Sequence, residues 1–490
     1  MSFVKYGYIL GAAALGFAFT YLLTHRSGIG VSPDSIAYIS AARNMVHTGH
    51  LVDYTLHPLV DWPAGYPLLL AAILKITHAD PMAVLPWLNP LLFAVLIGLC
   101  GYIAIRLGYP SRWFPPVLLL CIALSPALVE VYIMLWSEAL FIPGTVVFFI
   151  LLQRYMKTRA LGSLLPAAGC AALCCVIRYS GVTLVATGGF LILIDRYPTW
   201  RKKVGHLMGF GAISLSLLFV NLVRNEVVSG TLTGARQKGM TPLWKNIYYY
   251  GNTFTGWFLY GTTHYHLCLL LGMFLIIFLV LLFGRGIPKL LQVYPPYIRI
   301  CLSFALLYSL FMVVSATLSR YETINSRLLS PLYIPLVFTL AYPLEALWYR
   351  RTWRVAAVGC ALLVLSSQAF ADRQWYADVK EGGIGGYTED TWDDSPLVAY
   401  LKGKPFQEGY TLYSNSPEAV YFFGRLHCQL LPQQAFPGPI RQFYSEPRAY
   451  LIWFEDGDND AILTLDQVLT HKHMVLVRRF DDGVVYETAN

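Results

Sequence analysis

Residues 82–105, MAVLPWLNPLLFAVLIGLCGYIAI, carry no charged side chain and stop one position before Arg106. About 20 predominantly apolar residues suffice to cross the hydrocarbon core of a bilayer, so this stretch predicts a transmembrane helix. Working outward, ten further stretches read the same way: 6–24, 113–133, 137–156, 161–177, 180–195, 206–223, 266–284, 297–316, 328–348 and 353–370. The whole chain agrees with them. Of its 490 residues 56% are hydrophobic and 13% are charged, and mean hydropathy is +0.52. Soluble proteins carry about 25% charged residues, so a water-soluble enzyme of this size is excluded, as are disordered and collagen-like classes. The expectation is a polytopic α-helical membrane protein with about eleven spans.

The formal charge of +8 is explained by orientation rather than by nucleic acid. Lys and Arg accumulate in cytoplasmic loops. With a cytoplasmic N-terminus, every inner loop is basic: Arg106 and Arg112; Arg154, Lys157 and Arg159; Arg196, Arg201, Lys202 and Lys203; Arg285, Lys289 and Arg299; Arg350, Arg351 and Arg354. No basic stripe with an aromatic platform marks a nucleic-acid binder. The first span, behind Lys5, lacks an A-x-A-like cleavage site and reads as a retained helix. Eight of the nine cysteines lie in or beside apolar segments, where Cys packs as a small hydrophobe, and Cys428 alone falls in the polar C-terminal region; no disulfide framework follows.

An odd number of spans leaves the C-terminus outside. From about residue 371 the composition turns polar, with a Gly-rich linker at 382–386. Short β-rich runs (YTLYS, AYLIWF, MVLVRRF, VVYET) then alternate with helical stretches near 416–423 and 464–470. The predicted organisation is a transmembrane domain over 1–370 and a small extracytoplasmic α/β domain over 371–490.

The first outer loop reads SPDSIAYISAARNMVHTGHLVDYTLHPLVDWPAGYPLLLAAILKI, residues 32–76. Ser32-Pro33 is a helix-start signal. Asp34 in the first turn is favoured by the helix dipole, or it is a general base held at the membrane face. After Gly65-Tyr66-Pro67, LLLAAILKI is too short for a span and suits an interfacial helix.

The order of these features resembles the GT-C superfamily of polytopic glycosyltransferases. One N-terminal helix is followed by an outer loop opening with Asp34, Ser35 and Tyr38, then by Trp62-Pro63-Ala64-Gly65-Tyr66-Pro67 and an interfacial helix. The layout is similar to that of the aminoarabinose transferases and protein O-mannosyltransferases, though Ser35 and Ala37 stand where the former carry Glu and Arg, and Trp62 where a lysine is common. The resemblance implies transfer of a sugar from a polyprenyl-phosphate carrier to an extracytoplasmic acceptor, a lipid, a glycan or a protein, with inversion. It implies Asp34 as the base and an acidic residue facing the cavity where an outer connection enters a helix, here Glu138 in LWSEALF. Glu138 is alternatively a helix cap with Ser137; Glu130 is a second acidic candidate.

A phosphate leaving group is a stable anion, so this chemistry asks for cations rather than a general acid. Arg178 and Tyr179 (in VIRYSG), Arg236 and Arg327 are the preferred donor-binding residues, with Tyr38, Trp62 and Tyr66 beside them. Arg43, Arg224, Lys238 and Arg320 are further outer cations, and any of these arginines can instead serve lipid headgroups. His47, His50 and His57 match no compact zinc spacing, so neither a cofactor nor a metal is expected. Absence of an Asn-x-Ser/Thr pattern favours a bacterial inner membrane, with a cytoplasmic N-terminus and a periplasmic C-terminal domain. Two other classes stay open: an O-antigen ligase or polymerase, centred on Arg and His in a late loop, and a secondary transporter, which would show broken helices, repeats or mid-span ionisable residues.

Overall fold

A computed structural model describes residues 2–234, 236, 238–260, 265–273, 293–319, 322–350, 352–455 and 461–489. The chain divides into two compact units. One comprises residues 1–29, 60–66 and 82–378; the other comprises 30–59, 67–81 and 379–490.

The first unit is helical. Among the described residues, six helices are long and apolar enough to cross a membrane, and eight if each of two bent pairs is one span. The eleven read from hydropathy are therefore not reproduced as eleven long helices. Stretches 161–177 and 180–195 are shorter helices, and 266–284 lies largely outside the described residues, as do Arg285, Lys289 and Arg320. Stretch 113–133 is broken into Phe114–Ala123 and Pro126–Ile133, bent by 45°, and 206–223 into Trp200–Ser214 and Ser216–Ser229, bent by 44°.

Backbone groups freed by a proline or by a helix break find partners, as they must in a medium without water. Pro90 has no N–H to offer the carbonyl of Pro86 inside helix Pro81–Leu107, and Thr24 Oγ1 donates to that carbonyl at 3.1 Å. Pro126 follows the break at 124–125. There Tyr333 OH donates to the Cys121 carbonyl at 2.9 Å, and Asn89 Nδ2 donates to Met134 O, just past the second half-helix, at 2.9 Å. The composition change near 371 falls inside a 29-residue helix, Arg354–Gly382. Apolar side chains cover its first half and polar ones its second, and no helix breaker intervenes before the glycines.

The second unit is built on a five-stranded sheet of β1 (Thr411–Ser414), β2 (Gln429–Leu430), β3 (Ala449–Phe454), β4 (Met474–Phe480) and β5 (Gly483–Thr488), in the order β2-β1-β3-β5-β4. β1 runs parallel to β2 and β3, while β5 is antiparallel to β3 and β4. Strand periodicity sends Tyr450, Ile452 and Phe454 into one apolar cluster with Leu397, Leu401 and Val420. It sends Ala449 and Leu451 into another with Phe443 and Val468. β3 is buried on both faces for that reason, and β4 is an exposed edge. The four β-rich runs and the helices at Pro417–Gly424 and Leu465–His471 match the sequence reading. β2 and the helices Pro396–Lys402 and Pro437–Ser445 were not legible.

The same unit takes in much of the first outer loop. Helix Pro33–Thr48 starts where Ser32-Pro33 predicts, with the Ser32 N–H donating to Ser35 Oγ at 3.0 Å. Just before it, Tyr387 N donates to Val31 O at 2.9 Å, and Gly386 sits at φ +89°, where a Cβ would collide with that oxygen. Further on, Tyr54 OH donates to Glu418 Oε1 at 2.7 Å and Gln429 Nε2 to Thr55 O at 2.8 Å; Arg43 pairs with Asp80 at 2.6 Å.

Candidate active site

In the first unit the site grows from two helix junctions and one break. Residues 134–137 connect Pro126–Ile133 to Glu138–Thr158, which puts the Glu138 carboxylate in the first turn of a span. Helix Leu161–Ile177 ends at Arg178, whose extended backbone turns the chain into the short 3-10 turn Tyr179–Gly181. Asn325 caps the helical turn Ser326–Leu329 by accepting from Leu328 N at 3.0 Å, and this turn carries Arg327.

These three side chains meet. Glu138 is 0% exposed; its Oε1 lies 2.6 Å from Arg178 Nη1 and 2.9 Å from Arg327 Nε. Ser137 does not cap the helix with its side chain. Its hydroxyl accepts from Arg178 Nη1 at 2.9 Å and faces Glu138 Oε2 at 3.3 Å. Ser137 thus gives its hydroxyl to the charge cluster instead of to a cap, while the Glu138 carboxylate meets two guanidinium groups as well as a backbone N–H at the helix start. The Arg327 guanidinium also lies over the Trp136 ring, 4.5 Å from its centroid, and 3.9 Å from Glu322. Glu130 hydrogen-bonds Ser326 and feels the Arg327 charge. Tyr66, buried, lies within electrostatic reach of Glu138.

A second network in this unit holds residues 60–64. Tyr179 OH donates to Val60 O at 2.9 Å and accepts from Asn225 Nδ2 at 3.0 Å, and Asn221 Oδ1 receives Ala64 N at 3.1 Å. Arg236 Nη2 donates to Asp61 O at 3.1 Å, and Gly234, at φ +76°, passes so close to the Asp61 carboxylate that any Cβ would clash. Trp62, half-buried, belongs to this segment. Gly65 begins the next helix against the Val176 carbonyl, 2.5 Å from where a Cβ would stand. Tyr179 and Arg236 therefore appear as supports of the 60–64 segment, a role that sequence did not assign. Asn221 and Asn225 were missed because a polar residue inside an apolar helix gives no hint of its partner.

In the second unit, Asp34 is half-buried in the first turn of Pro33–Thr48, and Tyr38, one turn later, is buried. Asp34 lies in electrostatic reach of Glu418. Burial raises the Glu418 carboxyl above its ordinary range, against the lowering effect of the Tyr54 hydrogen bond, and burial likewise raises Asp53. Among the described residues, no three His, Cys, Asp or Glu side chains gather as a metal site; His57 Nδ1 is 2.9 Å from Thr55 Oγ1.

No family model and no curated protein matches the sequence. Solved structures do match. The crystal structure of ArnT from Cupriavidus metallidurans in the apo state superposes with a TM-score of 0.61 at 13% identity, over 99% of this chain and 98% of that one; the form bound to undecaprenyl phosphate gives 0.60. The arabinofuranosyltransferase AftD from Mycobacteria gives 0.56 at 15% identity, over 98% of this chain and 40% of that one. The Archaeoglobus fulgidus oligosaccharyltransferase in complex with Zn and sulfate gives 0.51 at 12% identity, over 91% and 68%. The chain thus shares its fold with ArnT, with AftD and with the oligosaccharyltransferase, the kind of architecture that the first-loop resemblance implies.

Proposed function

We propose that this chain is a membrane glycosyltransferase that moves a sugar from a polyprenyl-phosphate carrier to an extracytoplasmic acceptor. The observation that carries the reading is the pair of guanidinium groups converging on Glu138 within a helical membrane fold. Each guanidinium has five N–H donors, so an arginine already oriented by Glu138 can take a phosphate oxygen as well. Orientation by a buried carboxylate removes much of the entropic cost of binding. Arg178 and Arg327, both held by Glu138, together present the cationic face for a phosphate. ArnT bound to undecaprenyl phosphate, on the same fold, supports a lipid phosphate as the donor's carrier.

Asp34 takes the acceptor proton. One base suffices for a single displacement at the anomeric carbon, the phosphate leaving as an anion on the opposite face, so the product is inverted. The acceptor is a lipid, glycan or protein. The membrane is a bacterial inner membrane, with residues 371–490 on its periplasmic side and the transferase chemistry kept within 1–370 together with its outer loops. Two bent helix pairs would also suit a transporter, but the whole-length match to a glycosyltransferase fold favours the enzyme.

The test is release of undecaprenyl phosphate by the purified chain in nanodiscs, given a panel of undecaprenyl-phosphate sugars and an extract of envelope acceptors. No turnover with any donor, together with no binding of undecaprenyl phosphate, would remove the proposal.

A further inference from the structure

Beside the arginine cluster, in the first unit, lies a cavity of about 350 Å³, within the size range of small-molecule sites. Its wall joins three aromatic side chains, Trp257, Tyr260 and Trp375, to Glu130, Asn252 and Asn325. Flat apolar rings interleaved with amide and carboxyl groups match a ligand with C–H faces and hydroxyl edges better than they match an all-apolar lipid tail.

The lining is held in place before any ligand arrives. Trp257 Nε1 donates to Ser326 Oγ at 3.1 Å, and its ring meets Tyr333 edge-on at 5.6 Å. Gln368 Nε2 donates to Tyr333 OH at 2.7 Å. Behind this wall, one turn before Trp375 on the same helix, Asp372 is 5% exposed and in electrostatic reach of Tyr333. Neither of its carboxylate oxygens has a hydrogen-bond partner among the described residues. Position adds direction, since Asn325 and Ser326 immediately precede Arg327, so a molecule in the cavity has one end at the arginine cluster.

We propose that this cavity takes the glycosyl group of the donor, and that it selects non-acidic sugars. The inference rests on the lipid-phosphate reading above and deepens it. Trp257 and Trp375 pack on the C–H faces of the ring, and Glu130, Asn252 and Asn325 receive or donate to its hydroxyls. A uronic acid would set a second carboxylate against Glu130, and like charges in a low-dielectric site repel.

The experiment measures binding of the full chain in nanodiscs to bare undecaprenyl phosphate and to its glucose, mannose, galactose, arabinose and glucuronate derivatives. At least one neutral sugar should bind more tightly than the bare lipid, and glucuronate should not. Trp375→Ala should remove roughly tenfold of affinity for that sugar lipid, as expected for loss of a packed aromatic anchor, and leave the bare lipid unchanged. Asn252→Ala, a milder change that keeps the aromatic wall, should remove part of the same increment. The proposal is overturned if no neutral sugar adds affinity, if glucuronate is preferred, or if Trp375→Ala weakens the bare lipid as much as the sugar lipid, the mark of a tail groove. If undecaprenyl phosphate itself does not bind, the lipid-phosphate reading fails first; a bare lipid that binds without any sugar increment removes the cavity proposal alone.

Discussion

Glu138 in the first unit and Glu418 in the second are both carboxylates withdrawn from water, and the protein treats them oppositely. Glu138 is fully buried and held by two arginines and a serine. Glu418 is half-buried, and the partner shown for it is the neutral Tyr54 hydroxyl. A carboxylate held by two guanidinium groups fixes its neighbours. A charge compensated by a hydroxyl keeps an unpaid desolvation cost and answers to pH. The first arrangement suits a site that must present cations at any pH, and the second suits a clasp between distant parts of one unit.

The largest expected effect bears on Asp34, half-buried like Glu418. Asp34→Asn should lower turnover by about 10²–10⁴, the usual range for a positioned base, and leave binding of undecaprenyl phosphate near its original value. Radiolabelled sugar transfer and lipid binding on one preparation separate the two. Wild-type turnover would pass the base role to Asp53 or Asp61.

Next comes Glu138→Gln. It leaves two guanidinium groups facing each other, and breaking a buried ion pair on one side costs about 3–5 kcal/mol. The thermal midpoint in detergent should fall accordingly. An unchanged midpoint would mean that Glu138 is not the cluster's keystone. Arg178→Lys should be milder in stability but should weaken both lipid-phosphate binding and turnover, since a lysine lacks the planar fork that can face Glu138 and an anion together. Unchanged lipid-phosphate binding in both Arg178→Lys and Arg327→Lys would remove the phosphate-binding role of the pair.

The smallest effect is the pH response of the clasp. A carboxyl whose folded pKa is raised binds its proton more tightly folded than unfolded. Its contribution to stability is therefore present below the unfolded value, about 4.3 for Glu, and is lost as pH rises through the raised folded value. Glu418 and Asp53 are both raised by burial. Hydrogen exchange at residues 50–59 and 417–424 of the full chain, corrected for intrinsic rates, should thus show weaker protection at pH 8 than at pH 5. Glu418→Gln keeps an acceptor for Tyr54 and should flatten that dependence; Tyr54→Phe should cost about 1 kcal/mol of local stability. A steeper dependence in Glu418→Gln would reverse the assignment.

Much of this molecule was readable in one dimension because its signals are local. Apolar run length marks helices, Ser32-Pro33 starts one, and alternation with turn residues marks β1, β3, β4 and β5. Even Glu138, Arg178 and Arg327 could be chosen, since each is a charge at the end of an apolar run, an expensive place that a chain occupies for a reason. Their meeting could not be chosen. Ser137 and Glu138 satisfied a local capping rule equally well, and only the arrival of two arginines from separate helices decided between cap and cluster.

The amino-acid sequence alone determined the class of molecule and the position of most helices and strands, because hydropathy, capping and strand periodicity act over a few neighbouring residues. Tertiary structure decided where apolar runs break, as at 124–125, since Tyr333 must be present to take the freed Cys121 carbonyl. It also decided that residues 30–59 and 67–81 of the first outer loop fold as one unit with the C-terminal sheet. The Tyr54–Glu418 hydrogen bond joins residues 364 positions apart, and no local pattern encodes a contact whose energy exists only once two distant surfaces have closed on each other.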